Sequence, residues 1–387
     1  MSISASPGRW YREVMTAAIQ GHVLTPQGFL RGELHHDKGR IVAIDGTPMT
    51  EGDARRGAIV LPGFIDLHVH GGAGRDTMQG GDAVAAIARA HARSGTTALL
   101  ATTMTAPTFE ITQALRDLAP SVAARPRGAA RVLGVHLEGP YINPGKLGAQ
   151  PDFASTATLA EVLAMHAIAP IRLVTIAPEM PGHLELIVQL RAQGFVVQIG
   201  HSDGSYDDGV AALQAGASGF THLFNAMSAL HQRAPGMVGA ALAHAQRAEL
   251  IADLLHVHPG AIRAALRAIP DLYCVTDATA ATGMPDGEYQ LGRHRVDKCL
   301  GAVRLADGTL AGSTLTMDQA YRNLVSLGCS LADASRRTST IAAEHLGLSD
   351  RGRLHTGAWA DVVVLDADLN VQAVFVEGEA IALAHAH

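Results

Sequence analysis

The 387-residue chain is short of aromatics, cysteine and basic runs, and each shortage excludes a class of function. Aromatic residues make up only 4%, too few for a surface that stacks nucleobases or laminates a sugar polymer. Net charge is −6 and no Lys/Arg run or basic stripe occurs, so nucleic acid is not an expected partner. The three cysteines, Cys274, Cys299 and Cys329, are scattered and odd in number. They suggest no disulfide framework and fit a reducing cytoplasm, with Cys274 read as core packing in Leu272-Tyr273-Cys274-Val275. No segment approaches the roughly 18 apolar residues of a membrane span. Met1 to Trp10 lacks the apolar region of a signal peptide. A cytoplasmic protein with no membrane partner is the expectation.

What is present is length and alternation. The chain suits one α/β barrel of about 250 residues plus a smaller companion. Residues 1–13 read as a poorly ordered leader. Short β segments then fall at 17–24, 29–35 and 39–44, and the same character returns at 361–365 and 371–376. A small sheet domain built from both ends, residues 1–61 and 357–387, is expected, with seams near Pro62 and Gly357. Across residues 62–356, strand-like runs alternate with helix-like ones. Strands are predicted at 63–69, 97–102, 132–137, 171–176, 195–199, 219–222, 250–255 and 272–275. Apolar spacing at i, i+3 and i+4 marks helices at 82–93, 184–192, 206–214 and 259–268. Eight such units predict an α/β fold of the (β/α)₈ barrel type. A doubly wound open sheet would gather fewer strand ends around one point.

Five runs close on a possible metal ligand: Asp66-Leu67-His68-Val69-His70, His136-Leu137-Glu138, Ile199-Gly200-His201, Thr221-His222 and Val275-Thr276-Asp277. Gly, Pro, Ser or Thr follows or lies close by. That pattern presents a side chain at the C-terminal rim of a parallel barrel, where such folds place their chemistry. His68 and His70, at i and i+2, point to one side of the strand and can chelate one ion. Glu138, His201 and His222 supply the three protein ligands of a catalytic metal site with a position left for water. Asp277, beside such water, can accept its proton and return it to a leaving amine. Singly, each has a plainer reading: a surface pair for Glu138, core histidines for His201 and His222, a turn cap for Asp277. Together they predict a metal-dependent hydrolase. His35, His36, His91, His166, His244, His385 and His387 fall on helices, loops or tails and are excluded.

The segments PGFIDLHVHGG, HLEGPYINP, GHS, THLFNAMSALHQRAPG, IADLLHVHP, VTDATAATG and LAGSTLTM make the resemblance specific. Together they resemble the N-acetylglucosamine-6-phosphate deacetylases of the amidohydrolase superfamily, from Pro62 to the C-terminal sheet. The resemblance implies a (β/α)₈ barrel with a small β-sandwich, a homodimer, and removal of acetate from an amino-sugar 6-phosphate. It maps Glu138, His201 and His222 onto a principal metal site, and His68 and His70 onto a second site that some members lose. Asp277 falls on the catalytic base and acid. One or two divalent ions per chain follow, zinc foremost, with iron, manganese and cobalt also suited to these ligands.

Ala149, Asn225, Ala226, Arg233, His256, Leu310, Ala311 and Gly312 match the family's sugar-phosphate contacts, with part of the phosphate site supplied by the neighbouring subunit. Gln150 departs from the pattern, standing where the family usually has a histidine after Lys-Gly-Ala. It can donate to a substrate carbonyl through its amide but carries no charge. The nearest rival is the N-acetylgalactosamine-6-phosphate enzyme, against which the THLFNAM wording counts. A cyclic amidase would want a carboxylated lysine at Glu138. A non-catalytic relative would have lost metal ligands, and none is missing.

Overall fold

Parallel strands covered on both faces should be apolar nearly throughout. The predicted runs become eight such strands in a computed structural model that describes residues 17–383. The leader (1–13) and two excluded histidines, His385 and His387, lie outside the described residues. Strands β1 (Phe64–Val69), β2 (Thr96–Thr102), β3 (Arg131–Glu138), β4 (Ile171–Ile176), β5 (Val196–Ile199) and β6 (Gly219–Phe220) pair in sequence as one parallel sheet. Strands β7 (Arg247–Ile251) and β8 (Asp271–Val275) pair in parallel beside it. Both seams are bridged by backbone hydrogen bonds. Leu223 N donates to Glu249 O and Asp277 N to His68 O, each at 2.9 Å. The ring closes as the expected (β/α)₈ barrel.

Two strands depart from expectation. β7 starts at Arg247 and ends at Ile251, not at 250–255, because Asp253 Oδ1 accepts the N–H groups of Leu255 and His256 and turns the chain. Leu254 is left-handed there, with φ 67°. β6 ends two residues early because His222 also turns left-handed, with φ 27°.

Helices cover the ring. Ala83–Ala92 buries Val84, Ile87, Ala88 and His91, the stripe of a 3.6-residue period. Tyr206–Gln214 starts at a capping box between Ser205 and Asp208. Among the described residues no helix is long and apolar enough to cross a membrane.

The chain ends meet in a seven-stranded sheet. Ala17–Thr25, Gly28–Asp37 and Arg40–Pro48 form a meander, and Ile59–Pro62 lies parallel to the first of these. Val362–Leu365 pairs antiparallel with Ile59–Pro62 and carries Val371–Val376 and Glu379–Ala380 at its outer edge. The two faces bury different sets: Leu61, Val363 and Leu365 join the barrel core, while Val23, Leu34, Val60 and Val362 form their own.

Candidate metal centre and substrate cavity

Each barrel strand carries its last side chains to one rim. There Glu138, His201 and His222 converge. His201 Nε2 and His222 Nε2 each lie 3.1 Å from Glu138 Oε1 and 3.1 Å from one another. Edges of ~3.3 Å are what a tetrahedral ion with ~2.0–2.1 Å metal–nitrogen bonds would require. His201 Nδ1 lies 2.8 Å from the carbonyl of Lys146, which fixes the proton on Nδ1 and leaves Nε2 bare.

The second group shares Glu138. His68 Nε2 and His70 Nε2 stand 3.3 and 3.1 Å from Glu138 Oε2, and 3.5 and 3.2 Å from Asp277 Oδ1. The two imidazole nitrogens are 3.1 Å apart. His68 Nδ1 is engaged by Glu249 Oε2 at 3.0 Å, so its Nε2 is also a bare acceptor. Imidazole nitrogens and carboxylate oxygens facing one another across about 3 Å call for a cation between them, a proton or a metal ion. Both groups therefore fit a divalent metal by their donor chemistry.

The electrostatics favour a positive charge at this spot, whether a proton on the imidazoles or a metal ion in its stead, and a bare Nε2 belongs to the metal-bound form. Burial disfavours charge on the imidazoles, yet Glu138 and Asp277 hold His68 well above its ordinary value and His70 up to about 9. Burial also pushes both carboxyls up, but the imidazoles outweigh it and hold Glu138 and Asp277 below the usual range. Three residues of the cluster sit in left-handed backbone: His201 (φ 48°), His222 (φ 27°) and Asp277 (φ 51°). A non-glycine residue there costs about 1–2 kcal/mol, and such strain concentrates at functional sites.

His70, Glu138, His201, His222 and Asp277 open onto a cavity of about 230 Å³. Of the expected substrate contacts, Ala149, Asn225, Ala226, His256, Leu310 and Gly312 line it. His256 Nδ1 is 2.6 Å from Asp253 Oδ2, and this carboxylate raises the imidazole against the opposing effect of burial. Three expected contacts do not line the cavity. Ala311 is buried in a small core with Met104, Leu291 and Val303. Arg233 is exposed on the turn at 231–234.

Gln150 is buried, and its amide is engaged by the protein. Its Oε1 accepts from Thr105 N at 2.7 Å, and its Nε2 donates to Glu138 Oε2 at 2.7 Å. A buried carboxamide must find partners for both its oxygen and its nitrogen, and Thr105 N and Glu138 supply them. Sequence reasoning passed over Thr309, Met104 and Leu291 in the lining, and Glu249 beneath it. Only Glu249 left a signal, a lone charge inside the apolar run of β7.

The Amidohydrolase family pattern matches residues 59–381. An N-acetylgalactosamine-6-phosphate deacetylase of Escherichia coli O157:H7 is 41% identical over 369 residues, covering 92% of this chain and 97% of that protein. An N-acetylglucosamine-6-phosphate deacetylase of Bacillus subtilis is 40% identical, covering 81% of this chain and 82% of that protein. In three dimensions, a mutant N-acetyl-D-glucosamine-6-phosphate deacetylase of Mycobacterium smegmatis, solved with N-acetyl-D-glucosamine-6-phosphate, superposes with a TM-score of 0.87 at 37% identity. It covers 95% of this chain and 99% of its own. Sequence, structure and the converging ligands lead to one conclusion: the chain belongs to the amidohydrolase family.

Proposed function

We propose that the protein hydrolyses the acetamide of N-acetyl-D-glucosamine 6-phosphate, releasing D-glucosamine 6-phosphate and acetate in the cytoplasm. The observation that carries this reading is Asp277 Oδ1, held 3.2 Å from His70 Nε2 on the wall of the cavity that Glu138, His201 and His222 share. Glu138 Oε1, His201 and His222 would hold a principal divalent ion, zinc foremost. Glu138 Oε2, His68, His70 and Asp277 would hold a second. Such ions supply Lewis acidity, making water a better acid and a carbonyl a better electrophile at neutral pH.

The remaining chemistry belongs to the chain. Asp277 accepts a proton from the attacking water and delivers it to the amine nitrogen as the C–N bond breaks. Its backbone is held on both sides, Asp277 N donating to His68 O at 2.9 Å and Ser313 N donating to the backbone carbonyl of Asp277 at 2.8 Å, which fixes where its side chain starts. Gln150 acts through Glu138, holding Oε2 towards the His68/His70 side. Asn225 Nδ2 turns back to the carbonyls of His222 and Leu223, which leaves its amide oxygen for a sugar hydroxyl. His256, with its imidazole raised by Asp253, is the in-chain donor for phosphate. Arg233 would reach the phosphate of a partner subunit in a homodimer.

A second substrate, N-acetylgalactosamine 6-phosphate, is favoured by the 41% identity to the E. coli O157:H7 enzyme and would use the same residues. Acetate release from the 6-phosphates of N-acetylglucosamine, N-acetylgalactosamine and N-acetylmannosamine, assayed side by side with metal analysis, tests both. Preferred turnover of the gluco epimer supports the main reading. Turnover of none rejects both.

A further inference from the structure

Below the rim lies a carboxylate that this mechanism leaves unused. Glu249 is the third residue of β7, fully buried, and its side chain reaches the barrel axis. Its Oε2 accepts from His68 Nδ1 at 3.0 Å and from the backbone N–H of His222 at 3.2 Å. Its Oε1 accepts from Gln198 Nε2 at 2.8 Å and faces the hydroxyl of Tyr273 at 3.3 Å. Gln198 is fixed in turn, its Oε1 lying 2.8 Å from that hydroxyl and 3.2 Å from His345 Nε2. The carboxylate is thus clamped from below and grips two separate ligand groups above.

We propose that Glu249 is a positioning residue that fixes His68 with a bare Nε2 facing Glu138 and Asp277, and ties the backbone of His222 to the same anchor. A neutral imidazole carries one proton, and the carboxylate draws it to Nδ1. Without that acceptor the proton is free to sit on Nε2 and point a donor into the ion site. The grip on His222 acts on the other group, because the bonded N–H belongs to a residue in left-handed backbone, φ 27°. One side chain therefore sets the geometry of both.

Glu249 is not itself a ligand of a third ion with His68 and His136. Both ring nitrogens of His136 are engaged, by Leu67 O at 3.1 Å and Thr175 Oγ1 at 2.7 Å.

The inference rests on the two-ion reading above, so its test measures metal apart from turnover. Full-length protein is stripped with a chelator and titrated with Zn²⁺, recording ions bound per chain, their dissociation constants and the melting temperature. Glu249→Gln keeps shape and an acceptor oxygen but not the charge; Glu249→Leu removes the acceptor altogether. Wild type is expected to take two ions. Glu249→Gln should keep its fold and the principal ion while binding the second about 10–100-fold more weakly. Its kcat should recover as Zn²⁺ is raised, with KM for substrate unchanged. Glu249→Leu should lose the second ion and weaken the first.

A folded Glu249→Gln that binds both ions as wild type does overturns the proposal. So does equal weakening of both ions in step with a lowered melting temperature, which would make the residue merely structural. Should Glu249→Leu not fold, Glu249→Gln decides alone. Wild type with fewer than two ions overturns the two-ion reading and this brace with it, whereas failure of Glu249→Gln alone leaves that reading standing.

Discussion

At the N-terminal end of the barrel, Arg131 grips Glu377 through two hydrogen bonds of 2.8 and 2.9 Å. Arg125 reaches Glu377 at 3.1 Å and Glu379 at 2.6 Å, while Arg351 pairs with Asp361 and Glu377. At the C-terminal end the two site carboxylates, Glu138 and Asp277, meet no guanidinium among the described residues. Among the described residues, the ion-pair partners of Glu138 are His68, His70, His201 and His222, and those of Asp277 are His68 and His70. The difference lies in the cation. A guanidinium keeps its charge at any working pH and presents a fixed fork, so the root of the barrel is closed and ties the end sheet to β3. An imidazole can shed its proton and offer a lone pair, so the rim is open to a metal.

That contrast can be broken from either end. The largest effect is expected from Glu138→Ala or His222→Ala at the rim. Each should lose bound metal at the principal site and lower kcat/KM by about 10³-fold or more, about 4 kcal/mol. Full metal content in either variant, read by elemental analysis, would show that the trio is not the ligand set.

Asp277→Asn comes next. It preserves shape and should keep fold and principal ion while kcat falls by roughly 10²–10⁴-fold. A loss under about tenfold would assign the proton transfer to another group.

At the root, Glu377→Ala should cost stability of about 3 kcal/mol, because it takes a partner from the buried Arg351 and the partly buried Arg125 and Arg131. Metal content and kcat of the folded protein should not change. Burial pushes Glu377 up, but Arg131 and Arg351 outweigh it and hold the carboxyl at about 2, against an ordinary 4.5. Its contribution is therefore present above pH 4.5 and lost as pH falls towards 2. Denaturant curves of wild type and Glu377→Ala should converge over that acid range. A constant gap would mean that the lost stability is packing, not charge.

The smallest effect is expected from Arg233→Ala. It should raise KM for the 6-phosphate substrate by about tenfold and spare unphosphorylated N-acetylglucosamine. Equal effects on both would place Arg233 away from phosphate.

Much of the fold was legible because its signals are local. An apolar run closed by Gly, Pro, Ser or Thr announces both a parallel strand and the residue that will stand at its rim, and β4 appears where the sequence put it, at Ile171–Ile176. The helices Tyr206–Gln214 and Pro259–Ala268 also match, since an N-cap residue or N-terminal proline marks their starts. β7 was misplaced because its interior carries Glu249, whose charge makes a buried strand look like a boundary. Only its partner, 181 residues away, explains it. The partners of Gln150 were hidden for the same reason: the sequence shows an amide beside the site, but not that its oxygen accepts from Thr105 N and its nitrogen donates to Glu138.

The sequence alone determined the class of chemistry, because donor type and strand-end position are written in neighbouring residues. Only the tertiary structure decided which atoms face one another. That Glu138 divides its two oxygens between two histidine pairs, and that one buried carboxylate braces both, depends on how eight strands close into a ring. Closure is a non-local property, set by packing and register between strands that no local pattern records.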